Sequence, residues 1–144
     1  MGTNYYSVKR DLDYENVESL WALERGDDVL HIGKSSAGWC FSLHIIPELG
    51  INTLEDWIRM FIEPDRIIIN EYRETVSFVD MMRIITTRRG RDDPGRPPTP
   101  EFLEGNHAVP GPNGLVRHKI ESTMGGGCVG HGEGTYDYIE GEFS

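Results

Sequence analysis

Val29-Leu-His-Ile-Gly-Lys-Ser-Ser-Ala-Gly-Trp-Cys-Phe-Ser-Leu-His-Ile-Ile46 decides the fold class. Val29–Lys34 and Ala37–Ile46 read as two strands, joined through a tip of small residues, Gly33-Lys34-Ser35-Ser36-Ala37-Gly38. In the second run Trp39, Phe41, Leu43 and Ile45 share one face, while Cys40, Ser42 and His44 share the other. Pro47 ends it. This alternation predicts a hairpin with one face in an apolar core and the other carrying polar side chains.

Outward from the hairpin, helical periodicity takes over. Leu54, Trp57, Ile58, Phe61 and Ile62 follow the i, i+3, i+4, i+7 spacing of a helix over 53–62. Asn52 or Thr53 can cap it, Glu55 and Asp56 suit its positive end, and Pro64 stops it. Arg66–Asn70 reads as a buried strand. Ser77 with Asp80 opens a second helix as a capping box, with Phe78, Met81, Met82 and Ile85 inward as core. Val17, Leu20 and Trp21 predict a further helix over 13–26, from a cap at Asp13 to a stop at Gly26. The tryptophans 21, 39 and 57 are expected in the core.

Residues 88–114 hold Asp-Asp-Pro-Gly, Arg-Pro-Pro-Thr-Pro and Val-Pro-Gly-Pro-Asn-Gly, turn chemistry that regular elements reject, with one helical turn near Pro100–Glu104. Leu115–Ile120 and Tyr136–Phe143 read as strands around a glycine-dense stretch at 125–134. The expectation is one α+β domain over residues 1–144. It has a small mixed or antiparallel sheet, two to three helices on one face and a long Pro/Gly-rich loop that is not a linker.

The chain has 144 residues and a net charge of −10, enough for one core without staples. Two cysteines do not make a disulfide-dense scaffold. No apolar run approaches a membrane span, and the start Met-Gly-Thr-Asn-Tyr-Tyr6 has no signal-peptide core. An acidic surface disfavours sequence-blind nucleic-acid binding. Arg88, Arg89, Arg91 and Arg96, with Asp92 and Asp93 among them, form either a solvated loop or a contact for an anion or acidic partner.

Three segments can carry chemistry. Gly33-Lys34-Ser35 suggests a phosphate loop, but Asp28 stands where that motif needs glycine and a strand follows, so the motif fails. What remains is a hairpin turn, or a tip whose amides, Lys34, Ser35 and Ser36 hold a small anion. The second segment, Cys128-Val-Gly-His131-Gly-Glu133-Gly-Thr135, sets a thiol, an imidazole and a carboxylate on permissive backbone. The third is a constellation: Cys40, His44, Cys128 and His131 make a four-ligand set for zinc, with His31 and His118 as spare ligands, against the alternative of ordinary buried side chains. Beside such a metal, Glu133 with His131 would be the catalytic pair. Cys128 as a thiolate nucleophile lacks an oxyanion site. His107 reads as an exposed loop residue.

Met1–Tyr6, His31–His44 (HIGKSSAGWCFSLH) and the closing GLVRH and CVGHGEGTYDYIEGEFS resemble a family of small uncharacterised bacteriophage and prophage proteins, over about half the chain in three blocks. Many members place a Cys-x-x-Cys pair between the tyrosines and the HIGKS block, which implies a zinc ribbon. This sequence has an acidic stretch there instead. The resemblance implies action in the cytoplasm of an infected bacterial host. The first functional expectation is an accessory binding protein that inhibits or sequesters a host factor, either a defence protein or a small phosphorylated signal, without catalysis. A small anionic ligand would then sit on Lys34, Ser35, Ser36, His131, Glu133 and Thr135, if the strand over 37–46 pairs near the strand over 115–120 or the terminal strand. The terminal strand would also offer an edge for a homo-oligomer. The alternatives are a metal-dependent hydrolase of nucleotide or phosphate esters and a virion or assembly component.

Overall fold

Thr3-Asn4-Tyr5-Tyr6-Ser7-Val8 combines aromatic and β-branched residues with short polar ones, a composition that suits a half-buried pleated surface. The computed structural model, which describes residues 2–11, 28–36, 40–87, 100–105, 108–110, 116–121, 136–141 and 143, makes it a strand, β1 (Gly2–Lys9). The periodicity arguments do not find this strand, yet it is interior. It pairs antiparallel with β2 (Val29–Ser36) on one side and β4 (Arg66–Asn70) on the other. The remaining strands are β3 (Phe41–Ile45), β5 (Thr75–Val76), β6 (Ala108–Pro110), β7 (Val116–Glu121) and β8 (Tyr136–Glu140).

Among the described residues the sheet order is β5-β4-β1-β2-β3-β8-β7-β6. Pairing is antiparallel except at β3–β8 and β8–β7, which are parallel. With α1 (Leu54–Phe61), α2 (Phe78–Thr86) and the short α3 (Pro100–Gly105), this is a mixed α+β fold.

Three expectations change. The small-residue tip does not begin at Gly33. Residues 33–36 continue β2, with Gly2 opposite Ser36, Thr3 opposite Ser35 and Asn4 opposite Lys34, because β1 offers them a second antiparallel neighbour. The terminal strand is no edge: β8 lies between β3 and β7, so the pairing surface expected there for a second copy is already occupied. Within the expected loop over 88–114, the helical turn is present as α3, and β6 pairs with β7. Residues 88–99, 106–107 and 111–115 lie outside the described residues, as does the helix expected over 13–26.

The two sheet faces differ. On one, Tyr5, Ile32, Phe41, Leu43, Ile68 and Tyr136 pack with Leu54, Trp57 and Phe61 of α1 and with Met81 and Ile85 of α2. On the other, Tyr6, Val8, Val29 and Ile69 form a smaller cluster. The Thr53 hydroxyl accepts from the Asp56 N–H while the Asp56 carboxylate accepts from the Thr53 N–H, which closes the capping box of α1. Ser77 caps α2 by accepting from the Asp80 N–H. Met81 and Ile85 are fully buried as read. Phe78, expected inward, is 40% exposed and stands edge-on to Phe61, because it opens α2 as its first residue.

Gly33 marks an irregularity. Between Tyr5 and Tyr6 the register slips, so that Tyr5 faces Gly33 and Tyr6 faces His31. Ile32 is the extra residue of a bulge. At Gly33 a Cβ would stand 2.1 Å from the Ser42 carbonyl oxygen and 2.6 Å from Phe41 Cε1, so the close approach of β3 admits only glycine.

Candidate functional site

β3 leaves the sheet at a turn. Pro47 starts a short 3-10 segment, Pro47–Leu49, with Gly50 at φ 74° as its left-handed cap. Ile46 and Ile51 bond to each other across the turn, at 2.7 and 3.1 Å. The Leu49 and Gly50 N–H groups bond to the Ile46 and Pro47 carbonyls, at 3.0 and 2.9 Å. The turn stands where β2 begins and β8 ends, and together they enclose a cleft of about 560 Å³. Val29, Leu30, Ile45, Ile46 and Leu49 supply its apolar lining; Glu48, Glu140, His31 and His44 supply the polar groups.

The two imidazoles occupy adjacent strands on the face away from α1. His31 is 4% exposed and His44 is 9% exposed. His31 Nε2 lies 2.9 Å from Asn4 Oδ1, and since that oxygen only accepts, Nε2 carries the proton. His44 Nδ1–H donates to the His31 carbonyl at 2.9 Å, and the His44 carbonyl accepts from Trp57 Nε1 at 2.7 Å. Helix α1, β3 and β2 are thus tied through one residue. The His31 and His44 rings stand 5.3 Å apart, and Phe143 presents its ring to both, at 4.8 and 5.4 Å.

Burial pushes the His31 pKa down from 6.5 to about 3, and the neighbouring His44 and Lys34 push the same way against an opposing hydrogen bond to the Gly33 backbone. At neutral pH His31 is an uncharged imidazole. Cys40, just before β3, and Asp137 on β8 are buried with Sγ 3.2 Å from Oδ2. Cys40 is disulfide-bonded, and in that form it offers no thiolate to a metal.

The residues expected to form the site are distributed unevenly. His31 and His44 come together, as adjacent strands with a shared polar face require. Lys34, Ser35 and Ser36 sit near the far end of β2 and do not line the cleft, although Lys34 is near enough to affect His31. Cys128, His131, Glu133 and Thr135 lie outside the described residues, so of the expected zinc set only Cys40 and His44 are placed. Among the described residues no group of three or more His, Cys, Asp or Glu is disposed to hold a metal. The terminal strand does pair with β3, Tyr136 opposite Phe41. His118 stands opposite Ala108 in the β6–β7 ladder.

Sequence reading missed Asn4, Glu48, Leu49, Glu140 and Phe143. The available signal was Pro47-Glu-Leu-Gly50, a turn that can hold a glutamate and an exposed leucine beside the end of a strand.

No protein-family model, curated protein or solved structure matches the chain.

Proposed function

We propose that the protein is a phage-encoded accessory factor that binds a host protein and inhibits or sequesters it without catalysing a reaction. The observation that carries this reading is the cleft at the β2, β3 and β8 ends: an apolar recess of about 560 Å³ with two carboxylate residues and a neutral imidazole at its surface. Recesses with mostly apolar walls and few polar groups are the usual form of a binding site. A net charge of −10 favours a partner carrying positive charge. The same chemistry argues against a small phosphorylated signal in this cleft, because Glu48 and Glu140 would repel it. The resemblance of the MGTNYY, HIGKSS and GHGEGTYDY blocks to phage proteins supports the phage setting and the host cytoplasm.

The test is capture from bacterial lysate on the immobilised full chain, followed by an activity assay of the captured protein. A stoichiometric partner whose activity falls on binding is expected. The absence of such a partner, together with turnover of added nucleotides or phosphate esters, would instead support a hydrolase.

A further inference from the structure

We propose that the disulfide of Cys40 is a reversible redox switch, opened by a dithiol reductant, with the Asp137 carboxylate in place to hold the Cys40 thiol that results. The proposal does not depend on the partner protein argued above.

Cys40 is disulfide-bonded. The sequence has two cysteines, and Cys40 is 1% exposed, out of reach of a sulfur on a second copy. Its bond is therefore to Cys128 of the same chain. Cys40 comes just before β3, and Cys128 precedes β8 in sequence, so the bond joins the two segments that lead into the parallel β3–β8 pair.

The register of that pair also brings a carboxyl group to the sulfur. Ser42 stands opposite Asp137, and Cys40 comes two residues before Ser42, so Cys40 and Asp137 share a face. Asp137 Oδ2 lies 3.2 Å from Cys40 Sγ, and Asp137 is 3% exposed. A disulfide sulfur carries no hydrogen and gives that oxygen nothing to accept. A thiol does: at this distance the Cys40 S–H donates to Oδ2. The buried site thus fits the reduced cysteine without rearrangement. An acceptor that favours the thiol makes the disulfide easier to reduce.

The exchange balances as follows. One thiolate of the reductant attacks the Cys128 sulfur, because Cys40 is buried, and the S–S bond breaks. Cys40 leaves as a thiolate and takes a proton to become the thiol that Asp137 holds. The second thiol of the reductant then displaces Cys128, which also ends as a thiol. Two electrons and two protons have passed to the protein, and the reductant is left as its own disulfide.

The experiment uses the full chain purified without reductant, with dithiothreitol as the probe. Non-reducing digestion should yield one peptide pair, joined between Cys40 and Cys128, and no free thiol. Graded ratios of reduced to oxidised dithiothreitol, without denaturant, should open the bond reversibly in folded protein. Amide signals of Phe41, Ser42, Tyr136 and Asp137 should change, while those of Thr75 and Val76 on β5 should not. Asp137→Leu removes the acceptor, and half-reduction should then need about tenfold more reduced dithiothreitol. Asp137→Asn keeps an acceptor oxygen without the charge and should fall between. The position of this redox equilibrium separates a role in holding the thiol from a loss of stability common to both forms.

Four results would overturn the proposal: two free thiols in the oxidised preparation, a disulfide between two copies, opening only in urea, or an unchanged half-reduction ratio in Asp137→Leu. The first three are read on the wild-type chain and stand whether or not the variants fold.

Discussion

His31 sits on β2 with Asn4, Tyr6, His44 and Phe143 around it, and its pKa falls to about 3 while the unfolded chain titrates near 6.5. Between these values the unfolded chain binds a proton on this ring that the folded chain does not. The stability it contributes is therefore complete above pH 6.5, is lost progressively as pH falls toward 3, and changes no further below that. The slope from this group reaches about 1.4 kcal/mol per pH unit. Urea unfolding of wild type and His31→Gln across this range should show a stability difference that shrinks as the pH falls; a constant difference would refute the assignment.

At the same scale, Gly33 and Gly50 make a contrasting pair. Gly33→Ala drives a methyl group to 2.1 Å from the Ser42 carbonyl oxygen, whereas Gly50→Ala meets nothing within 4 Å and bears only its φ of 74°. Urea midpoints should place the first loss at about 3 kcal/mol and the second at about 1 kcal/mol.

Elements differ in how much of their cause is local, and this decides what could be read in advance. α1 was legible because everything that makes it lies within a dozen residues: the Thr53–Asp56 box, the apolar stripe and the proline stop. Thr53→Ala removes the hydroxyl half of that box and should cost about 1 kcal/mol in thermal or urea unfolding. A change under a few tenths would mean that the packing of Trp57 and Phe61 fixes the helix start unaided. β1 was not legible, since Asn4-Tyr5-Tyr6-Ser7 has neither turn signals nor clean alternation, and its identity comes from neighbours about 25 and 65 residues away in sequence. The Lys34–Ser36 tip failed for the same reason. Small residues next to a glycine look like a turn until a partner strand supplies a ladder. The His31–His44 pair was legible as two candidates but not as a pair, because the register that joins their strands, Gly33 opposite Leu43 and Lys34 opposite Ser42, is written in neither strand alone.

Over the whole molecule, the cleft depends on a junction between distant parts of the chain. Its apolar side and His pair come from residues 29–49, its remaining wall from Glu140 and Gly141, and β8 brings the two together by entering between β3 and β7. Parallel pairing of Phe41 with Tyr136 closes a separation of 95 residues in sequence, the kind of contact that no local pattern announces. A strand with neighbours on both sides is intolerant of proline, because any lost N–H leaves a ladder acceptor unpaired within the sheet. Ile139 faces His44 on one side and Ile120 on the other. Ile139→Val only removes a methyl group and should cost about 1 kcal/mol. Ile139→Pro should cost about 3 kcal/mol or more. It should also displace the Glu140 wall of the cleft. Parallel urea unfolding of the two variants measures the excess due to the ladder. If proline is tolerated as well as valine at this position, β8 does not lie between two strands, and the cleft loses the wall it supplies.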